Sequence, residues 1–129
     1  MKLVCGRSLP RHFSRVPEIK GIVYESDIRT TPRSRLAARL LIFKTTVDMR
    51  RFWTLTLRST ELGRWAVAAV TGLYKTVEDV PSGQCRMVVD PRYFCIIGMV
   101  MGKLNMETIC HEAVHAAYCF EKRRTRTPW

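Results

Sequence analysis

No apolar run in this 129-residue sequence approaches the roughly 20 residues that a membrane-spanning helix needs. The N-terminal segment MKLVCGRSLPRHFSRV has basic residues but lacks the apolar stretch that follows them in a signal peptide. We therefore expect an intracellular, cytoplasmic protein without membrane contacts. The five cysteines are odd in number and have no close paired spacing, which excludes an evident disulfide framework. We expect reduced thiols, with Cys85, Cys95 and Cys110 packed as small hydrophobic residues.

Acidic residues are scarce: 11 Asp and Glu stand against 22 Lys and Arg, giving a formal net charge of +11. The basic residues concentrate as spaced arginines in residues 1–40 and in the tail KRRTRTPW. Such an excess favours contact with nucleic acid or another polyanion. It is also typical of small proteins whose basic surface is merely solvated, and composition alone does not separate these two interpretations.

The length fits a single domain, residues 1–129, and 47% hydrophobic residues exclude a compositionally disordered chain. Because prolines interrupt residues 1–35, we predict an irregular, basic segment there, with one short strand in GIVYESD (Gly21–Asp27). The run RLLIFKTTV from Arg39 predicts a buried strand. After it, either Asp48 caps a short helix or a hairpin returns through WTLTL, and the pattern does not distinguish the two.

Two patterns compete between Ser59 and Val80. Apolar residues at three- and four-residue steps favour an amphipathic helix, although AVAAVTGLY within this segment could equally form a strand. The β-rich runs Cys85–Val89 and Tyr93–Met101 flank an Asp-Pro turn, which predicts an antiparallel hairpin. These elements predict an α+β domain, in which a C-terminal helix packs across a small, mainly antiparallel sheet.

From Asn105 to about Arg124 the sequence predicts a long helix. Asn105 is a suitable N-cap, Glu107 lies in the first turn where the helix dipole favours an acid, and basic residues fill the last turn. On a helical wheel the apolar residues form one stripe, which consists of Met106, Ile109, Cys110, Ala113, Ala117 and Phe120.

The opposite side of this helix carries His111, His115 and Cys119, with Glu112 beside them. Histidines four residues apart project from one face and can both bind one Zn²⁺. A glutamate directly after the first histidine can reach a zinc-bound water, whose pKa the ion lowers towards ~7. It then acts as general base on the water and as general acid to the leaving amine. We therefore predict Zn²⁺ as cofactor, His111 and His115 as ligands and Glu112 as catalytic residue.

The segment HEAVH (111–115) resembles the HExxH motif of the zincin metallopeptidases, and residues 87–122 are similar to small phage- and prophage-encoded zincin-like proteins. The resemblance covers a little over a quarter of the chain. It implies a zinc-dependent peptidase that acts on a peptide or protein substrate. Zincins place a sheet before the active-site helix and bind extended substrate on an edge strand. By this resemblance, the strand at Tyr93–Met101 is the expected edge.

The resemblance leaves the third zinc ligand open. Glu121 stands where metzincins have theirs, but those proteins turn at a glycine where this chain has Tyr118. We therefore expect the helix to continue and Glu121 to lie away from the metal. Cys119 is two helical turns from His111, too far for one ion to bridge. The ligand then comes from another chain, from a C-terminal segment that this sequence lacks, or from an upstream acid, for which Glu78, Asp79 and Asp90 are the candidates.

Two functions from different classes follow from these observations. The first is a zinc-dependent peptidase. The second is a basic, phage-type protein that binds nucleic acid or a host protein, in which the zinc site is structural or degenerate. The feature that discriminates them is a third ligand that completes the metal site.

Overall fold

A computed structural model describes residues 10–57, 62, 66–72 and 92–125, and the side chains of these residues as far as Glu121. The fold is α+β with a C-terminal helix, as predicted. Among the described residues, no helix is both long and apolar enough to cross a membrane. The elements in chain order are a 3₁₀ turn (Phe13–Arg15), β1 (Ile22–Ile28), β2 (Ala37–Phe43), α1 (Thr46–Arg51) with a π-helical turn after it (Phe52–Thr56), β3 (Ala68–Gly72), β4 (Tyr93–Val100) and α2 (Met106–Thr125).

The four strands form one mixed sheet in the order β1-β2-β4-β3. The outer pairs β1–β2 and β3–β4 are antiparallel, whereas the central strands β2 and β4 are parallel. The prediction of a mainly antiparallel sheet is therefore right only for the outer pairs. Strand β4 was expected at an edge but is central, with every one of its eight residues buried. Burial on both faces explains its continuous apolar sequence, and the outer strands of the described sheet are β1 and β3.

Local sequence signals account for β1 and α1. The strand predicted in GIVYESD is present, and the segment after β2 takes the helical alternative instead of the hairpin. Thr45, not Asp48, is the N-cap of α1, because its Oγ1 accepts a hydrogen bond from the Asp48 backbone N–H at 3.1 Å. The Thr45 hydroxyl in turn donates to the Asp48 carboxylate at 2.8 Å.

The segment 59–80 is described only in part, and its described portion is a strand. Ala68–Gly72 pairs with β4 over its whole length, so the helix favoured there by apolar spacing is wrong and the strand alternative is confirmed. Pairing with the buried central strand β4 stabilises these residues as a strand more than their apolar spacing stabilises a helix. Gly72 also lowers the helix propensity of the run. The first strand of the predicted hairpin, Cys85–Val89, lies outside the described residues.

Each face of the sheet carries its own apolar cluster. The face covered by α1 and the N-terminal segment buries Phe13, Ile19, Ala37, Leu41, Phe43, Met49, Phe52, Trp53, Leu57, Tyr93, Ile96 and Val100. The face covered by α2 buries Ala38, Phe94, Cys95, Ile97, Met99 and Cys119. The neighbours Phe94 and Cys95 share this second face because the β2–β4 register shifts between Ala37 and Ala38.

Two glycines of the β4–α2 region have specific structural roles. Gly98 lets the Trp53 ring pack onto β4, because a Cβ there would lie 2.6 Å from the indole Cζ3 atom. Gly102, with φ of +80°, forms the turn that follows β4, a backbone conformation that other residues rarely adopt. This turn leads the chain into α2, which carries the predicted metal ligands.

Candidate metal centre

The N-terminus of α2 has the cap that the sequence predicts. The Asn105 side-chain oxygen accepts a hydrogen bond from the Thr108 backbone N–H at 2.8 Å. The helix then runs without interruption through Tyr118 to Thr125, also as predicted. This continuous backbone fixes the relative directions of His111, Glu112 and His115.

His111 and His115 meet on an exposed flank of α2. Their Nε2 atoms are 3.1 Å apart, and their rings lie 4.7 Å apart between centroids at an angle of 75°. Two imidazole ligands of one tetrahedral Zn²⁺, at about 2.0–2.1 Å each, stand about 3.3 Å apart. The pair therefore fits one zinc ion with little movement. The same separation also suits an N–H···N hydrogen bond between the rings.

Glu112 lies on the buried side of α2, where it is only 7% exposed. The helical step of about 100° places it about 60° around the axis from His115 and about 100° from His111. It stands between the exposed histidine flank and a groove that separates α2 from β2. The three residues of the predicted site therefore occupy neighbouring positions, but in different surroundings.

The apolar stripe predicted for α2 does not form its buried face. Met106 is 73% exposed and Cys110 is also exposed, whereas Glu112 and Cys119 are buried. The helix is turned by roughly a quarter of a revolution from the predicted orientation. Packing of Phe120 on Phe94, with ring centroids 5.2 Å apart, is part of the contact that sets this orientation. The expectation that Cys110 is packed is therefore wrong, whereas Cys119, one turn after His115 on the same side of the helix, is buried.

The two buried thiols of this region are poor candidates for metal ligands. Burial raises the pKa of both Cys95 and Cys119, and the neighbouring Cys119 sulfur raises that of Cys95 further. Both thiols are therefore protonated at neutral pH, whereas a metal ligand must be a thiolate. The expectation that Cys95 packs as a small hydrophobic residue is confirmed.

The described part of the chain does not complete a three-ligand site. Within it, no group of three or more His, Cys, Asp and Glu side chains is placed to hold a metal ion. Because α2 continues past Tyr118, the chain does not turn there to bring Glu121 back towards the histidines. The three upstream acids, Glu78, Asp79 and Asp90, lie outside the described residues.

Among the described strands, the outer strand next to α2 is β3 and not β4. Helix α2 packs against both β3 and β4, and the groove along its other flank opens over β2. The histidine flank therefore faces the β3 side of the sheet. An extended substrate on an edge strand beside the histidines would consequently pair with Ala68–Gly72.

A buried ionic cluster that was not predicted from the sequence surrounds Arg39, a residue that is only 3% exposed. Its Nη1 lies 3.1 Å from Glu25 Oε2. Its Nε lies 3.1 Å from Asp27 Oδ1, close enough for an ion pair although the N–H is not aligned for a hydrogen bond. Its Nη2 donates to the Arg11 carbonyl at 2.7 Å and to the Tyr93 hydroxyl. The sequence feature that could have predicted this cluster is the pair Glu25 and Asp27. A two-residue step along a strand puts both acids on one face of β1.

A polar cavity of about 600 Å³ surrounds this cluster at the end of the sheet. Five arginines and two acids line it, which leaves three positive charges in excess. The residues around it are Arg11, His12, Glu25, Ser26, Asp27, Arg29, Arg35, Arg39, Arg92 and Tyr93. The basic N-terminal third of the sequence therefore contributes to a concave, positively charged surface, in addition to the charge spread along the chain.

No family model, curated protein or solved structure matches this chain. The resemblance to zincins stays a prediction from the HEAVH segment.

Proposed function

We propose that this protein is a zinc-dependent peptidase, with His111 and His115 as metal ligands and Glu112 as general base. The observation that supports this function best is the 3.1 Å separation of the two Nε2 atoms on an exposed helix flank. Ordinary surface helices carry solvated charged residues at such positions. The element order, in which a sheet precedes the motif-bearing helix, is also the order that the resemblance implies.

Each residue of the motif has a distinct role in this proposal. A zinc ion held by the two imidazoles would supply Lewis acidity towards the scissile carbonyl and towards a water molecule. Glu112 accepts the proton of the attacking water and returns it to the leaving amine. Its position about 60° around the helix axis from His115 supports this role.

The substrate in this proposal is an extended peptide. Strand β3 pairs with β4 on one side only, and its outer edge has no strand partner among the described residues. A peptide can add to such an edge through backbone hydrogen bonds. Since the histidine flank of α2 faces this side of the sheet, a paired peptide would pass close to the metal ligands.

Hydrolysis also requires a third protein ligand. Two histidines alone hold zinc weakly, and catalytic zinc sites have three protein ligands with one open position. We therefore expect efficient cleavage only where Glu78, Asp79, Asp90 or a residue of another chain completes the site. The chain with two histidine ligands alone would have little or no activity.

The peptidase is tested with zinc-loaded protein, a mixture of peptides and mass spectrometry of the products. Glu112→Gln should retain zinc and lose cleavage, since the amide cannot accept the proton. Glu107→Gln removes an exposed acid from the first turn of the same helix and should retain both properties. Cleavage at the wild-type rate by Glu112→Gln would contradict the mechanism. Absence of cleavage by zinc-loaded wild-type protein would favour the second candidate.

The second candidate is a basic binding protein in which the zinc site is structural or degenerate. The cavity around Arg39, with its three excess positive charges, favours this function. Arginine side chains bind phosphate through paired N–H donors, and a concave positive surface raises the local concentration of polyanions. Nucleic acid is the expected partner.

A further inference from the structure

A groove of about 570 Å³ lies between α2 and the part of the sheet that this helix leaves uncovered. Helix α2 packs over β3 and β4, so no helix of the described part of the chain covers the β1–β2 side of the same face. The walls are mainly apolar and include Ile28, Leu40 and Ile42 from the strands and Ile109, Ala113 and Phe120 from the helix. Its volume lies within the range of about 300–1,000 Å³ that is usual for small-molecule sites.

Glu112 is the acid in this groove. It is 7% exposed, and no hydrogen bond or ion pair joins it to another side chain in the part of the chain that the structure describes. Arg29 also borders the groove, but its guanidinium is engaged with the Asp27 carboxylate at 3.5 Å and with the Ser34 carbonyl at 3.3 Å. A cationic group in the groove would give this carboxylate a charged hydrogen-bond donor.

We propose that this groove binds an apolar molecule with a single cationic nitrogen, of the class of primary alkylamines. The ammonium group donates hydrogen bonds to the Glu112 carboxylate, and the aliphatic tail lies against the isoleucine side chains. Charge complementarity selects this occupant, because an anionic headgroup would be repelled by Glu112 and a neutral one would leave its charge uncompensated. Each buried methylene strengthens binding by roughly fourfold.

This site goes beyond the proposed peptidase and does not depend on it. The histidines lie on the other flank of α2 and do not line the groove. An amine bound at Glu112 would occupy the carboxylate that hydrolysis uses, so the same ligand would inhibit any peptidase activity. Binding measured in the presence of a metal chelator is therefore informative whether or not the zinc site is functional.

The experiment compares three eight-carbon probes that share one tail: n-octylamine, octan-1-ol and octanoate. Each is titrated into the full chain in the presence of EDTA and followed by ¹H–¹⁵N correlation spectra. Octylamine should bind most tightly and octanoate most weakly. Glu112→Gln should weaken octylamine binding by roughly tenfold to a hundredfold, the usual range for a charge-assisted hydrogen bond, and leave octan-1-ol unchanged.

Two further variants locate the site. Glu107→Gln makes the same charge change outside the groove and should bind octylamine like the wild type. Ala113→Phe places a ring in the groove from an exposed helix position and should weaken all three probes. Equal octylamine affinity for wild-type protein and Glu112→Gln, or no preference for amine over alcohol, would overturn the proposal. A wild-type dimer that Ala113→Phe converts to a monomer would show a second copy in the groove, which would also overturn it.

Discussion

Arg39 and Glu25 form a buried ion pair, with Nη1 3.1 Å from Oε2 and both side chains no more than 5% exposed. Glu25 also accepts hydrogen bonds from the backbone N–H groups of Phe13 and Ser14, at 2.9 and 3.1 Å. One carboxylate therefore joins β1, β2 and the N-terminal turn. This contact holds the N-terminal segment over one apolar cluster of the sheet.

We predict that Glu25→Gln lowers the free energy of unfolding by about 3 kcal/mol or more. The variant removes one of the two acids that pair with the buried Arg39 charge and leaves Asp27 as its acidic partner in the cluster. Urea denaturation followed by tryptophan fluorescence measures this change. Glu18→Gln removes an exposed acid from the same N-terminal segment and should change stability by less than about 0.5 kcal/mol. A similarly small effect of Glu25→Gln would show that the pair contributes little.

The cysteines of the α2 face should differ in reactivity. Exposed Cys110 should react with iodoacetamide in the folded protein, whereas burial and a raised pKa should protect Cys95 and Cys119. In the unfolded chain thiols ionise above a pH of about 8.5, whereas Cys95 and Cys119 stay protonated in the folded protein. The free energy of unfolding should therefore fall as the pH rises above that value. Peptide mapping at neutral and alkaline pH measures the labelling. Equal labelling of Cys119 and Cys110 in folded protein would contradict the orientation of α2.

The basic cavity predicts salt-dependent binding of nucleic acid. Fluorescence anisotropy with labelled DNA and RNA should show affinity falling steeply between about 50 and 200 mM salt. Arg35→Gln, which removes an exposed charge from the cavity wall, should reduce the slope by about one phosphate contact. Arg51→Gln removes an exposed arginine outside the cavity and should have less effect. Binding that is absent or insensitive to salt would leave the basic surface as a solubility feature.

Features that depend on residues close together in the sequence could be predicted well. The Asn105 cap and the continuation of α2 through Tyr118 were both predictable, since each depends on residues within one or two turns. The strand at Ile22–Ile28 could also be predicted, and the HEAVH segment could be recognised directly in the sequence. The closeness of the two imidazoles follows from the four-residue step of any α-helix.

Features that depend on distant contacts were not predictable. The parallel pairing of β2 with β4 and the strand at Ala68–Gly72 both arise from the way the chain assembles around a buried central strand. The rotation of α2 depends on contacts such as that of Phe120 with Phe94, far away in sequence. That rotation decides that Glu112 is buried, so the surroundings of the predicted catalytic residue could be read only from the structure.

The most direct test of the metal site is the zinc content of the purified protein after dialysis at micromolar free zinc. With a third ligand completing the site, the wild type should hold about one zinc ion per chain, and His111→Ala or His115→Ala should hold none. Glu121→Gln should retain the ion, because α2 continues past Tyr118 and does not bring Glu121 back to the histidines. His12→Ala should also retain it, because His12 lines the cavity around Arg39. Metal-free wild-type protein, or stoichiometric zinc in either α2 histidine variant, would contradict the site proposed on α2.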